Sequence, residues 1–355
     1  MVSEVFCLTT VTANSGNRRF DVSVIIPSNH SHAELLELTL KVCCQSVTPT
    51  EIIIVDTSNE RGQSPEELIN RCDKLEINLI YEAVDHAFPG RARNIGLSRA
   101  TSKFLAFLDV RTIPCEHWLQ NAKLQHEDPT LSGVWGLTSF EARNRFEKLI
   151  RDGFFGQNPR RTLPGSVFKK EILSITGSLV TWVRAGEDTD WIQRVDLSDL
   201  NFGYPQTATL NYMGLINQDS VTLAKKWARN YSSSSMLPHL FPYKIIVWIT
   251  FYLSIILLAL NWNSLLAGWD TESIMYLPNV TKLAGLIPIF AYLTTRGLIM
   301  PHKRGVPKEA LLPIRWLSIA LVCLIGDLTR ALVLLNPSSI QKRTQEKNRK
   351  ARPGE

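Results

Sequence analysis

Cysteine is scarce and poorly placed for any framework. The 355 residues hold six, Cys7, Cys43, Cys44, Cys72, Cys115 and Cys323. Neither the adjacent Cys43-Cys44 pair nor any other spacing matches a disulfide scaffold or a zinc site. Reduced, structural thiols are the reading that remains. The opening MVSEVFCLTT has no basic start followed by an apolar core, which argues against a secretory leader and for a first domain that stays in the cytoplasm. Internal repeats are lacking and low complexity is confined to serines 232–235 and the tail, so solenoids and arrays are excluded. His30, His86 and His117 show no ligand spacing, and no side chain stands out as a protein nucleophile.

What is present is uneven. The first 240 or so residues read as a soluble α/β domain, whereas residues 245–269 contain no charge at all, long enough for a membrane helix of roughly 20 apolar residues. The formal net charge of +6 comes partly from KRTQEKNRKAR after Gln341, which suits a solvated tail or an anionic membrane surface better than nucleic acid.

Within the first domain, residues 22–27 (VSVIIP), 51–56 (EIIIVD) and 77–81 read as buried strands, and 31–45 as an amphipathic helix carrying Leu35, Leu36, Leu38 and Leu40. The alternation predicts a parallel sheet with right-handed crossovers, with Asp56 and Asp109 along its carboxyl edge. Ligands bind at that edge in open α/β sheets. Further on, 116–127 reads as a helix, 133–140 as a strand, 142–154 as a helix and 158–164 (NPRRTLP) as a proline-bounded basic loop.

Two segments carry chemistry. Residues 104–111 (FLAFLDVR) form an apolar run, read as a strand, that delivers Asp109 at its end and Arg111 two residues later. An acid, a spacer and a second acid would suggest Mg2+ or Mn2+ on a diphosphate; Arg111 breaks that pattern. Residues 185–194 (AGEDTDWIQR) open a helix with three acids and an arginine. Their spacing puts Glu187, Asp190 and Arg194 on one side and Asp188 on a neighbouring face, and the helix dipole favours carboxylates there for capping alone.

In this order, VSVIIPSNH, EIIIVDTSN, PGRARNIGLSRATSKFLAFLDVRTIP and VFKKEILSITGSLVTWVRAGEDTDWIQRV resemble the family 2 inverting glycosyltransferases of GT-A fold, over residues 22 to about 229. The resemblance implies a Rossmann-like, mostly parallel sheet flanked by helices, a nucleotide-sugar donor and inversion at the sugar. It places Pro27 and Asp56 at the base and ribose, Arg93 and Asn94 facing the donor, and Asp109 at ribose or metal. Thr57 stands where a second acid is common, leaving base preference open. Arg111 stands where the metal-binding acid usually does. Three readings follow: Arg111 neutralises the leaving diphosphate itself, Asp109 holds a metal with diphosphate and water, or the protein is inactive. Asp188 matches the catalytic base and Glu187 a group orienting acceptor or base; Asp190, Trp191 and Arg194 fall to acceptor or support, the two charges as an (i, i+4) ion pair.

The expected layout is an N-terminal extension (1–20), the transferase domain (21–230), a membrane region (231–340) and a basic cytoplasmic tail (341–355). Residues 245–269 and 273–295 read as spans; 311–335, with Arg315, Asp327 and Arg330, reads as an interfacial or spanning helix, since charges in a bilayer are costly. Asp327 and Arg330 are spaced to pair at (i, i+3). The basic loop 301–308 and the tail favour a cytoplasmic catalytic domain by the positive-inside rule. Lys225, Lys226, Trp227, Arg229 and Tyr231 suit interfacial anchoring or the phosphate of a lipid-linked acceptor. The acceptor is thus expected to be lipid-linked or a surface glycan, with polyprenyl-phosphate sugar synthesis and a non-catalytic nucleotide-sugar-binding scaffold as alternatives.

Overall fold

The computed structural model describes residues 19–29, 32–58, 66–216, 219–237, 240 and 243–335. Cys7, His30, most of the N-terminal extension and the basic tail lie outside them. The chain forms two compact units: one from the segments up to Ala142 and Pro159–Gln218, the other from Arg143–Asn158 and Asp219–Gln341.

The first unit runs β1 (Arg19–Ser28), α1 (His32–Cys43), β2 (Thr48–Asp56), α2 (Glu66–Lys74), β3 (Asn78–Ala83), α3 (Pro89–Arg99), β4 (Phe104–Phe107), β5 (Thr112–Pro114), α4 (Trp118–Gln125) and β6 (Gly133–Phe140). After an excursion into the second unit, which holds α5 (Arg145–Ile150), it resumes with β7 (Arg160–Lys169), α6 (Leu173–Thr176), α7 (Glu187–Asp196), β8 (Phe202–Gly203) and β9 (Leu210–Tyr212). The strands make one mixed sheet in the order β3-β2-β1-β4-β7-β6-β9-β5, with β8 against β6. β1 to β4 pair parallel, and β7 is antiparallel to both β4 and β6.

The inner strands are apolar without a break because both faces are covered. Val22, Val24 and Ile26 pack on one face with Leu35, Leu38 and Trp118. Ile25, Ile53, Leu105 and Phe107 pack on the other with Ala92, Leu97 and Trp191. Register places Pro27 beside Val55, Ser28 beside Asp56 and Ile25 beside Phe107, so the carboxyl ends of β1, β2 and β4 share one edge.

Three local expectations change. The strand over 104–111 ends at Phe107, and Leu108 to Arg111 leave the sheet carrying Asp109. The basic loop over 158–164 is mostly strand: Arg160, Arg161 and Thr162 pair with Thr138, Leu137 and Gly136. Pro164 is tolerated because it falls in a register shift, where residues 163–166 of β7 stand between the pairs Thr162–Gly136 and Val167–Val134 and leave the regular ladder. The helix over 142–154 shortens to α5, started by an Asn144–Glu147 capping box, and continues as a π-helical turn over Arg151–Phe155.

In the second unit that inserted segment packs among C-terminal helices α8 (Ser220–Ser234), α9 (Tyr243–Ala267), α10 (Val280–Thr294), α11 (Met300–Lys303), α12 (Lys308–Leu311) and α13 (Arg315–Leu335). Leu149 and Phe154 lie against a small core of Val306, Leu311, Ile319 and Cys323. Buried Asp152 pairs with Arg151 at 2.9 Å and Arg315 at 2.6 Å. Arg304 donates to the carbonyls of Gly153 and Phe154 at 2.9 and 3.0 Å.

Two helical stretches among the described residues, Thr250–Ala267 and Lys282–Lys303, are long and apolar enough to cross a membrane. α13 is two-faced: Leu321, Ile325, Leu328 and Leu332 are exposed while Ile319, Ala320 and Cys323 are buried. Asp327 pairs not with Arg330 but across helices with Arg296, at 2.8 and 3.1 Å, and accepts a bond from the Tyr292 hydroxyl at 2.8 Å. A guanidinium fork facing a carboxylate from another helix gives two parallel bonds, geometry that an (i, i+3) neighbour on the same helix does not supply here.

Candidate active site

The site is organised by one arginine. Arg93 projects from α3 and is only 3% exposed. One terminal nitrogen donates to Asp109 Oδ1 at 2.7 Å and the other to Glu187 Oε1 at 2.7 Å. The guanidinium also lies 5.8 Å from the Phe107 ring centroid. It therefore brings the end of β4 and the start of α7 together, the two segments singled out as chemical in the sequence. Phe88 precedes α3 and Pro89 opens it without a side-chain cap, since proline has no N–H to satisfy. At Gly90 any Cβ would sit 2.0 Å from the Val180 carbonyl oxygen, so only glycine lets this turn approach the loop leading to Glu187.

That loop is fixed from three sides. Asn94 donates to the Leu179 carbonyl at 2.8 Å and accepts from its N–H at 3.0 Å. Arg194 pairs with Asp190 at 2.9 Å and donates to the carbonyls of Thr176 and Ser178. The Trp191 indole, fully buried, donates to the Gly177 carbonyl at 3.3 Å. Asn94, Asp190, Trp191 and Arg194 thus hold the scaffold in place.

Glu187 and Asp188 are neighbours in different states. Glu187 is 4% exposed, and its Oε2 is buried with no partner among the described residues. Burial, reinforced by the Asp188 charge and opposed by Arg93, pushes Glu187 up to about 7. Burial alone would pull Arg93 down, but Asp109, Glu187 and Asp188 more than offset it and raise it. The carboxylates around Arg93 keep the arginine charged, whereas Glu187 is raised chiefly by its own burial. Asp188 is partly exposed and accepts from the Thr189 N–H at 2.7 Å, which leaves it oriented at the helix start.

Along the sheet edge, Asp109 is 40% exposed at its side chain. Arg111 lies 4.0 Å from Glu34 at the start of α1. Asp56 is wholly buried, its carboxylate receiving the Ser58 N–H at 2.8 Å, the Ser58 hydroxyl at 3.1 Å and the Tyr81 hydroxyl, with His32 at 3.4 Å. Pro27 lies at the end of β1 in register with Val55. Three side chains here were not legible as site residues. His32 and Tyr81 reach Asp56 only through the fold, and Tyr212 in β9 is raised by burial and by the Asp109 charge, against the pull of Arg111. Tyr212 comes from a three-residue strand with no local signal.

Among the described residues no group of three His, Cys, Asp or Glu side chains could hold a metal ion. At the strand end the donor set is the single carboxylate of Asp109, already bonded to Arg93 and followed by Arg111. That set does not fit a protein-built cation site, which needs several hard oxygens.

Residues 23–180 match the family model described as Glycosyl transferase family 2. Over this segment the chain is similar to that family. Its mixed sheet with flanking helices is the GT-A arrangement that the motifs imply. The chain is 25% identical over 229 residues to the pre-mycofactocin glycosyltransferase of Mycobacterium tuberculosis, in strains CDC 1551 / Oshkosh and ATCC 25618 / H37Rv. The match covers 60% of this chain and 46% of those relatives, so it spans about half their length. A solved mannosyltransferase from Pyrobaculum calidifontis, in complex with GDP-Man and Mn2+, overlaps 91% of this chain and 89% of its own at 15% identity and a TM-score of 0.49.

Proposed function

We propose that this protein is a membrane-anchored, inverting glycosyltransferase that moves a sugar from a nucleotide-sugar donor to a lipid-linked or surface-glycan acceptor, with its catalytic domain on the cytoplasmic side. The observation that carries the chemistry is Arg93 holding Asp109 and Glu187 at 2.7 Å each, which ties the donor edge of the sheet to the acidic start of α7. The membrane reading draws on the two long apolar helical stretches and the basic segment around Lys303 and Arg304.

In this reading the donor lies along the carboxyl edge near Pro27, Asp56 and Asp109. Asp188 takes the proton of the acceptor hydroxyl as that oxygen bonds to the anomeric carbon. The bond from that carbon to the nucleoside diphosphate breaks, and its electron pair leaves with the diphosphate. Arg111, turning from Glu34, stabilises that negative charge. Glu187 orients the site through Arg93.

The test is release of nucleoside diphosphate from a panel of sugar donors by purified full-length protein, with and without chelator. Turnover that survives chelation and falls in Arg111→Ala supports the arginine assignment; turnover abolished by chelation refutes it. Wild-type rates in Asp188→Asn would remove Asp188 as the base.

A further inference from the structure

Charge is unbalanced at one place in the second unit. The Asp327 carboxylate is occupied by both bonds from Arg296 and by the Tyr292 hydroxyl. Arg330, one turn further along α13 and half-buried, has no carboxylate partner among the described residues. Its guanidinium lies 5.4 Å from the centroid of the Tyr231 ring on α8, a contact that orients a cation without neutralising it.

The packing that creates this arrangement is specific. At Gly326 a Cβ would stand 2.5 Å from the Phe154 ring and 3.3 Å from the Trp227 ring; glycine lets α13 close on α8 there. Phe154 and Trp227 themselves pack with centroids 4.6 Å apart. Arg330 and Tyr231 each follow that contact by four residues on their own helices, so they occupy the same faces one turn on. Lys225 and Arg229 are exposed on α8 and add positive charge. The cluster of Arg296, Arg330 and Asp327 carries one cation more than it has anions, beside helices long and apolar enough to cross a membrane. A cation left over beside apolar helices of membrane length suits an anionic headgroup at the membrane surface.

We infer that Arg330 and Tyr231 form a binding site for the phosphate of a lipid, held at the membrane surface between α8 and α13. The ligand class is a lipid bearing a phosphate monoester or diester, whose oxygens take the guanidinium donors of Arg330. The inference rests on the membrane reading above and deepens it, because it places a lipid phosphate at a defined pair of side chains.

The test uses the full chain in a non-ionic detergent, reading the thermal unfolding midpoint against added farnesyl phosphate, farnesol, phosphatidylglycerol, phosphatidylcholine or inorganic phosphate. Farnesyl phosphate or phosphatidylglycerol is expected to raise the midpoint saturably, and farnesol is not. Arg330→Gln should weaken half-saturation by about tenfold or more, and Arg330→Lys should keep most of the binding. A stronger response to farnesyl phosphate assigns the site to a lipid-linked substrate; a response to phosphatidylglycerol as strong or stronger assigns it to a bilayer headgroup. Equal responses to farnesol and farnesyl phosphate overturn the inference, and that comparison needs no variant. So does binding unchanged in a folded Arg330→Gln, or inorganic phosphate acting at the same concentration as the lipids. Asp188→Asn should leave the lipid response intact, so loss of transfer and loss of lipid binding are read separately.

Discussion

Each unit is built around a largely buried arginine that bridges elements distant in sequence, and the two differ in which charge is in excess. Arg93 is surrounded by Asp109, Glu187 and Asp188, an excess of carboxylate. Arg296 shares a single Asp327 with Tyr292 while Arg330 stands nearby, an excess of cation. Buried ion pairs of this kind are poor evidence of stability in themselves, because desolvation offsets much of the attraction. The sign of what remains is more instructive. Surplus carboxylate suits taking a proton from a hydroxyl, and surplus guanidinium suits holding a phosphate.

The comparison can be broken most sharply at Asp188. Asp188→Asn keeps the shape and removes the proton acceptor, so transfer should fall about 100- to 10,000-fold with thermal unfolding unchanged; a small loss would deny the acidic cluster its chemical role. Next comes Arg93→Ala, which leaves buried Glu187 and partly exposed Asp109 without their cation and should cost about 3 to 5 kcal/mol, read as a lower denaturation midpoint. A smaller cost, on the order of 1.5 to 3 kcal/mol, is expected for Asp327→Asn, because Arg296 keeps a neutral acceptor; the same measurement in detergent checks it. A loss there as large as at Arg93 would mean that both clusters are equally strained.

The last test concerns pH. Glu187 titrates near 7 in the fold and at its ordinary 4.5 when unfolded, with Arg93 and Asp188 the charges facing it. The protonated form is favoured by the fold, so its contribution is complete below about 4.5 and is lost as pH rises through about 7. Glu187→Gln should flatten that slope, and stability curves of both proteins at pH 4.5, 6 and 8 would show whether it does.

Much of this was legible because local pattern and global packing agree. The inner strands at residues 22–27 and 51–56 announce themselves as apolar runs since both sheet faces are covered, and the acid spacing at 187–194 put Arg194 on Asp190. What escaped did so for physical reasons. β5, β8 and β9 are two or three residues long, too short for periodicity, and they bring Tyr212 to the site. The Arg93 bridges span 16 and 94 residues in sequence, so its pairing with Asp109 and Glu187 leaves no local spacing to read. Just past the end of α10, Arg296 gave Asp327 a better partner 31 residues away than the neighbour its spacing suggested.

The inserted segment has a consequence for how the protein can be divided. Arg143–Asn158 belongs with the C-terminal helices, and its Asp152, Leu149 and Phe154 have their partners there. A chain ended before Asp219 would keep that stretch and lose everything it packs on, exposing a carboxylate and two large apolar side chains. No single cut separates the two units intact, because the chain passes between them at residues 142/143, 158/159 and 218/219.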